Sequence, residues 1–146
     1  MTTLFSRIIE GELPARFVWK DDICVAFLSI APLKPGHTLV VPRAEVDHWI
    51  DLPTSAMMHL SRVAQCVGRA IQDEWQPTKV GTTILGLEVP HVHIHVVPIW
   101  EPRDLDFDNA DANAREADPD EAALRLPAAL PRPAHPHAPP PPAHPP

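Results

Sequence analysis

The placement of proline limits how this chain folds more than any other feature. Ten of its 20 prolines lie among the last 20 of its 146 residues, and the sequence ends APPPPAHPP. Because proline lacks the backbone donor and fixes φ, such a segment forms neither a helix nor a strand ladder. We therefore expect polyproline II character or disorder over residues 127–146, and a packed core built from the residues before them.

Charge divides the remaining chain. The formal net charge is −7, of which residues 101–126 contribute −6, from nine acidic residues and three arginines. The run Asp118-Pro119-Asp120-Glu121 is typical of a helix start, with proline in the first turn and acids at the positive end of the dipole. We predict a globular domain at 1–100, an acidic extension with a short helix at 101–126, and a disordered Pro/Ala-rich tail at 127–146.

Composition excludes several functional classes. The acidic balance argues against DNA as a partner, since non-specific DNA binding needs a basic face. No apolar run approaches the roughly 20 residues that span a bilayer, and residues 1–7 contain no apolar signal segment, so no membrane partner is expected. Cys24 and Cys66 lie too far apart for a zinc knuckle, and two cysteines do not make a disulfide scaffold. Cysteine usage therefore favours a reducing, cytoplasmic location.

Apolar periodicity predicts an α+β domain. We expect a short helix at 4–9 and a long helix that begins near Pro53. The long helix has one apolar stripe at spacings of three and four, formed by Met57, Leu60, Ala64, Val67, Ile71 and Trp75. Strands are predicted at 16–20, 23–30, 38–41, 79–85 and 89–97. Strands grouped around one long helix, without strict alternation, favour a mostly antiparallel sheet.

The fifth predicted strand contains three histidines at a spacing of two, in the run VPHVHIHVVP. Alternate residues of a strand share a face, so His91, His93 and His95 line one side and the apolar residues face the long helix. A hydrophobic core does not need three imidazoles there. Two chemistries fit the spacing: a metal site on the three histidines, or a neutral imidazole that attacks phosphorus while the others orient it. The spacing alone leaves both open.

The pattern His-φ-His-φ-His-φ-φ, with φ apolar, resembles the signature of the histidine triad (HIT) family of nucleotide hydrolases and transferases. Two further blocks agree in order and spacing: FSRIIEGELPA at 5–15 and PLKPGHTLVVP at 32–42. The resemblance covers residues 4–98. It implies a HIT-like five-stranded antiparallel sheet with one short and one long helix, in a protein that is usually a homodimer with a joined sheet.

The resemblance also implies a reaction. His93 matches the nucleophile that attacks the α-phosphate of nucleoside 5′-phosphate derivatives, such as phosphoramidates and dinucleoside polyphosphates, to form a nucleotidyl-histidine that water hydrolyses. His91 matches the histidine whose region holds the tautomer of the nucleophile, and His95 matches the one that contacts the phosphate and the leaving group. The resemblance implies no required cofactor, and a metal is possible on the substrate only. Two alternatives stay open: a non-catalytic nucleotide-binding or interaction module, and a metal site on His91, His93 and His95.

The family comparison implies where the nucleotide binds. The apolar pocket for the base matches Phe5, Ile8, Phe27 and Ile30. Ser29 stands where the family often has an aspartate that accepts from the ribose hydroxyls. Glu88 stands where a hydroxyl commonly meets the phosphate, and a carboxylate there repels a phosphate unless it is protonated or turned away.

Other departures from the family pattern affect the leaving-group side. Glu45 occupies the position where the family often has a fourth histidine, and His48, three residues on, is the candidate replacement. Leu87 stands in place of an amide that reaches the leaving-group oxygen, and Thr82 or Thr83 is the candidate source of a hydroxyl. The sequence therefore predicts a divergent branch with an intact triad and a changed substrate.

Overall fold

The computed structural model describes residues 2–109 together with Ala122, Arg125 and Leu126. The predicted helix start at 118–121 and the predicted tail at 127–146 lie outside these residues. Three short 3-10 helices occupy Trp49–Asp51, Pro102–Leu105 and Phe107–Asn109. The longer elements are α1 (Leu4–Ile9), β1 (Phe17–Lys20), β2 (Cys24–Leu28), β3 (Thr38–Pro42), α2 (Thr54–Trp75), β4 (Lys79–Thr83) and β5 (Ile94–Ile99).

The five strands form one antiparallel sheet in the order β1-β2-β3-β5-β4. This arrangement, with α1 and α2, confirms the predicted α+β fold. Among the described residues, no helix is both long and apolar enough to cross a membrane.

Helix α2 packs its apolar stripe against one face of the sheet. Its buried residues are Leu60, Val63, Ala64, Val67, Ala70 and Ile71. Met57 and Trp75, at the two ends of the predicted stripe, are partly buried against the same cluster. The triad segment contributes Val92, Ile94 and Val96 to this cluster, so its apolar side faces α2 as predicted.

A second cluster covers the opposite face of the sheet. Helix α1 supplies Phe5 and Ile8, which pack on residues of β2 and β3: Val25, Phe27, Leu39 and Val41. Leu39 lies opposite Phe27 in one ladder and opposite His95 in the next. Because directly paired residues of antiparallel strands share a face, this cluster is continuous with the histidine side of β5.

The turn before β3 depends on Gly36, whose φ is +91°. A Cβ atom at this position would lie 2.6 Å from the Trp75 ring at the end of α2. Glycine alone meets both demands, since it adopts positive φ without strain and leaves room for the indole. This turn brings His37 to the start of β3, beside the triad.

Strand β5 starts at Ile94, so the predicted start at residue 89 is five residues too early. The ladder with β3 ends at the pair Val40 and Ile94. Before it, the Val92 amide donates to the carbonyl of Val46, at 2.8 Å, outside the sheet. Pro90 has no amide hydrogen to donate to a ladder. His91 and His93 therefore lie in an irregular segment leading into β5, although the alternation of faces continues through it.

The core extends beyond residue 100. Ala122 and Leu126 are buried in the apolar cluster between α2 and the sheet (the α2 cluster). Arg125 donates to the backbone carbonyl of Glu74 at 2.8 Å and lies over the Trp75 ring, 4.4 Å from its centroid. Ala122, Arg125 and Leu126, from the region predicted as an acidic extension, therefore pack against α2 and its end.

Candidate active site

One hydrogen bond fixes the state of the central histidine. The Nδ1 atom of His93 lies 2.7 Å from the carbonyl oxygen of His91. Because a carbonyl oxygen only accepts, Nδ1 carries the ring proton and Nε2 keeps a free lone pair. His93 is 6% exposed, and burial lowers the pKa of this histidine below its usual value. The ring is therefore neutral near pH 7, which is the form in which Nε2 is nucleophilic.

His91 is held at both ring nitrogens. Its Nε2 donates to the Pro42 carbonyl oxygen at 2.8 Å, so its Nδ1 accepts from the Thr3 hydroxyl at 2.7 Å. Burial lowers the pKa of His91 as well. Both ring nitrogens of His91 are therefore engaged, and its backbone carbonyl fixes the tautomer of His93. The role of His91 that the family resemblance implies stays a prediction.

His95 is oriented by a histidine that the sequence analysis did not assign a role. The Leu33 amide donates to His37 Nδ1 at 3.0 Å, which places the His37 proton on Nε2. This Nε2 lies 2.9 Å from His95 Nδ1 and donates to it. His95 therefore carries its own proton on Nε2, which makes that atom a hydrogen-bond donor.

Burial keeps the His37–His95 pair neutral. Burial, followed by the charge of His93, lowers the pKa of His37 to about 4. Burial, followed by the charges of His37 and His93, lowers the pKa of His95 to about 3. A second proton on either ring would create a buried cation, and a proton on His95 Nδ1 would set two N–H donors against each other, so the donor direction through the pair is fixed.

Two phenylalanines enclose the histidine rings. The Phe5 ring lies 4.8 Å from His93 and 5.8 Å from His91, edge to face, measured between centroids. The Phe107 ring lies 4.7 Å from His95 in the same arrangement. Such edge-to-face packing is favourable beyond the buried area and restricts how the rings turn. Phe107 comes from the region predicted as an acidic extension, and no sequence pattern marked it.

A buried carboxylate positions the segment that carries Phe107. Asp104 accepts from the amides of Trp100 and Glu101, at 2.8 and 3.0 Å, and pairs with Lys34 at 3.4 Å. These bonds tie the 3-10 helix after β5 to the loop before β3. Phe107 follows two residues after that helix and reaches back over His95.

Of the predicted base-pocket residues, three lie together. Phe5, Ile8 and Phe27 are buried in the α1 cluster, and the Phe5 and Phe27 rings are 5.6 Å apart. Ile30 is 84% exposed, and Ser29 is half-buried with its hydroxyl oxygen accepting from the Ala31 amide at 3.2 Å. Their roles toward a nucleotide stay predictions.

The two threonines that are candidates for contacting the leaving group lie on opposite faces of the sheet. Thr83 pairs with His95 and so lies on the histidine side, whereas Thr82 pairs with Val96 and lies on the α2 side. Leu87 is 89% exposed and Glu88 is also exposed. Thr83 is therefore the threonine placed to offer a hydroxyl near the triad.

Glu45 contacts the network behind the triad. It accepts from the Thr3 amide at 2.6 Å, and Thr3 in turn contacts His91. His48, the candidate replacement for the family's fourth histidine, is exposed, and its ring lies against Trp49 with 6.5 Å between centroids.

A second set of candidate metal ligands lies at the β1–β2 turn, where donor atoms of Asp21, Cys24 and His59 lie within 4.8 Å of one another. The Asp21 carboxylate already accepts from His59 Nε2, from the indole of Trp19 and from the amides of Ile23 and Cys24. Burial, with the charge of Asp21, raises the pKa of the Cys24 thiol. Since metals bind the thiolate, these groups are best explained as a hydrogen-bonded turn.

The buried histidines make stability depend on pH. An unfolded histidine takes up a proton near pH 6.5, whereas folded His37 and His95 do so only near 4 and 3. The unfolded state thus binds more protons as the pH falls. The free energy of unfolding should decrease from pH 6.5 to pH 5, by up to about 1.4 kcal/mol per pH unit for each of the two residues.

Urea unfolding at each pH measures this slope. His37→Gln should reduce it, and His48→Gln, at an exposed histidine outside the cluster, is the matched control and should not. A free energy of unfolding that stays constant between pH 6.5 and pH 5 would contradict neutral burial.

Comparison with known proteins identifies the family of this chain. The family model described as "HIT domain" matches residues 10–101. A HIT-like protein of Methanocaldococcus jannaschii is 31% identical over 102 residues, covering 67% of this chain and 79% of the relative. The adenylylsulfatase HINT3 of Arabidopsis thaliana is 27% identical over 100 residues, covering 65% of this chain and 51% of the relative.

Solved structures show the same fold. A zinc-bound histidine triad family protein from Mycobacterium smegmatis superposes with a TM-score of 0.76 at 29% identity, covering 89% of this chain and 94% of the other. A HIT-like protein from Bartonella henselae gives 0.71 at 26%, covering 88% and 96%. The chain belongs to the HIT domain family, which includes nucleotide-binding hydrolases and transferases.

Proposed function

We propose that this chain is an enzyme that hydrolyses nucleoside 5′-phosphate derivatives, or transfers their nucleotidyl group, through a covalent bond to His93. The observation that carries the proposal is the hydrogen bond from His93 Nδ1 to the His91 carbonyl, which leaves Nε2 as a neutral nucleophile. A neutral imidazole with a free Nε2 lone pair is the form that can attack phosphorus.

The proposed reaction has two displacements. His93 Nε2 attacks the α-phosphorus, the N–P bond forms, and the bond from phosphorus to the leaving group breaks. Water then attacks the same phosphorus, the N–P bond breaks, and the nucleoside monophosphate leaves. Dividing one difficult displacement into two easier ones is the advantage of a covalent intermediate. The positive charge that develops on His93 is stabilised by the Nδ1–H bond to the His91 carbonyl.

His95 acts as a hydrogen-bond donor in this scheme. Its ring is neutral, and because Nδ1 accepts from His37, the single ring proton lies on Nε2. Loss of that proton would create an imidazolate, so the leaving group takes its proton from water while His95 stabilises the charge on the phosphate or leaving-group oxygen.

A nucleotidyl-histidine forms when a leaving group departs from the α-phosphorus of the substrate, and this requirement defines the proposed substrates. Phosphoramidates, dinucleoside polyphosphates and adenylyl sulfate, which the name of the Arabidopsis relative suggests, all carry a leaving group on the α-phosphorus. The base is proposed to bind at Phe5, Ile8, Phe27 and Ile30, with Ser29 near the ribose and Glu88 near the phosphate.

No protein-bound cofactor is part of the proposal, and a metal is proposed only on the substrate. A metal site on all three histidines is disfavoured because both ring nitrogens of His91 are engaged by Thr3 and Pro42. The acidic net charge of −7 favours a small-molecule partner over DNA or an anionic membrane surface. The free cysteines Cys24 and Cys66 support a proposed cytoplasmic location.

A non-catalytic nucleotide-binding module is the second candidate. It is favoured by Leu87 and Glu88, which stand exposed where the family often has polar groups for the leaving group and phosphate. This alternative predicts nucleotide binding without turnover, so the first experiment separates the two.

Removal of the His93 imidazole should abolish turnover. With adenosine 5′-phosphoramidate as substrate, His93→Ala should release AMP at least about 10³-fold more slowly than the wild type, because no other side chain of the triad presents a free lone pair. Rapid acid quenching is unsuitable for a labile N–P bond, so quenching at high pH followed by peptide mass spectrometry should find the adenylyl group on the wild-type peptide.

His48→Ala, at an exposed histidine, is the control and should retain wild-type rates. Equal AMP release by His93→Ala and the wild type would refute nucleophilic catalysis by His93. Binding without release in both would support the non-catalytic module.

A homodimer is proposed from the edge of the sheet. In the described part of the chain β4 is an edge strand. A groove of about 750 Å³ runs between β4 and α2, on the face opposite the histidines, and is lined in part by Met57, Ala64, Gly68, Val80, Thr82 and Ile84. Pairing of β4 with the same strand of a second copy would satisfy the backbone amides at the sheet edge. It would also bury apolar surface, which stabilises a domain of this small size.

The oligomeric state tests this interface. Sedimentation equilibrium should give twice the chain mass of 16.1 kDa for the wild type. Thr82→Arg, which places a charge in the groove, should shift the mass to the monomer. Asp22→Arg, in the exposed turn at the opposite edge of the sheet, should remain dimeric. A wild-type monomer at micromolar concentration would contradict the proposed dimer.

A further inference from the structure

Glu45 connects two distant parts of the chain. Its Oε1 atom accepts from the Thr3 backbone amide at 2.6 Å and from the Ser6 hydroxyl at 2.9 Å. These two donors lie at the start of α1, whereas Glu45 lies three residues after the end of β3. The carboxylate therefore connects the N-terminal segment, through two hydrogen bonds, to the chain that follows β3 beside the triad.

Each proton in this cluster has one assignment. The Ser6 amide donates to Thr3 Oγ1 at 3.1 Å, and the Ser6 hydroxyl donates to Glu45. The Thr3 hydroxyl has a single proton, and its shorter contact is to His91 Nδ1, at 2.7 Å against 3.2 Å to Ser6 Oγ. His91 Nδ1 is an acceptor because Nε2 donates to the Pro42 carbonyl. The Thr3 hydroxyl therefore donates to His91, whereas the Thr3 amide and the Ser6 hydroxyl donate to Glu45.

The hydrogen bonds of Glu45 also help to place helix α1, which makes a second contact with the nucleophile. Helix α1 carries Phe5, whose ring lies 4.8 Å from His93 and 5.8 Å from His91. With six residues, α1 is too short to be stable alone. Its position therefore depends on tertiary contacts such as the Glu45 bonds and the α1 cluster.

We propose that Glu45 is a positioning residue for His93, which acts through Thr3 and His91 to hold the nucleophile's tautomer and ring orientation. The proposal rests on the proposed nucleotidyl-transfer function. Glu45 stands where the family often has a histidine. Its proposed role depends on Thr3, Ser6 and His91 of this chain.

The hydrogen bonds themselves favour the charged form of Glu45. The Thr3 amide, and then the Ser6 hydroxyl, lower the pKa of its carboxyl. The cluster is therefore complete at neutral pH, where a carboxylate accepts from both donors.

Matched variants separate positioning from general stability. Glu45→Ala removes both acceptors, and Thr3→Val removes the hydroxyl while it keeps the shape. Both should lower kcat for the phosphoramidate about tenfold, with KM within about twofold, because the base pocket is retained while the nucleophile is misaligned. Thr3→Ser keeps the hydroxyl and should restore kcat to near wild type.

Glu12→Ala is the control for an exposed acid of the same segment. Glu12 pairs with Arg7 at 3.1 Å, away from the triad, and its loss should leave kcat unchanged. A fall in kcat of the same size in Glu12→Ala and Glu45→Ala would overturn the proposal, and so would wild-type kcat in Glu45→Ala, whatever the result for Thr3→Val.

Nitrogen-15 NMR of the histidine rings gives a readout independent of turnover. Wild-type His93 should show one tautomer, protonated at Nδ1, and Glu45→Ala should show a mixture at His91 and His93. An unchanged tautomer in Glu45→Ala would overturn the proposal. If the wild type proves inactive on every substrate, the proposed function fails, and the NMR result alone still decides whether Glu45 positions the histidines.

Discussion

The hydrogen bond from His93 Nδ1 to the carbonyl of His91 is the interaction on which the site depends. It joins two residues only two positions apart, yet the ring can reach that carbonyl because the chain from Val89 to His93 is outside the ladder. A regular strand directs its carbonyls sideways toward neighbouring strands. The irregular lead into β5 therefore allows a backbone oxygen to select the tautomer of a side chain.

Two directed chains of hydrogen bonds converge on the rings. One runs from the Leu33 amide through His37 to His95, and the other runs from Thr3 to His91. Among the described residues, every side-chain nitrogen and oxygen that is fully shielded from solvent has a hydrogen-bond partner. Buried polar networks that are fully satisfied specify one arrangement, whereas partly satisfied ones destabilise the core. The cluster can therefore remain neutral and preorganised inside the protein.

The sequence pattern predicted the fold because its signals are local. Alternation placed the histidines and the apolar residues on opposite sides, and the stripe of α2 identified the helix face that covers the sheet. The start of β5 was predicted too early because alternation persists where ladder bonds have already ended. Periodicity reports side-chain faces and does not report which partner an amide finds.

The supporting residues of the site could not be predicted in this way. His37 and His95 are separated by 58 positions, and Thr3 and His91 by 88. Such pairs arise from tertiary contacts that leave no periodic signal in one sequence. His37 lay inside the block PGHTLVVP, so its position directly before a predicted strand was the available clue, whereas Phe107 had none.

The stereochemical course at the α-phosphorus tests the covalent mechanism most directly. A substrate with a sulfur atom on the α-phosphorus, of known configuration, is hydrolysed in ¹⁸O-labelled water, and the configuration of the nucleoside phosphorothioate product is determined. Two in-line displacements each invert the phosphorus, so the mechanism through His93 predicts overall retention. Overall inversion would show direct attack by water and would contradict a nucleotidyl-histidine intermediate.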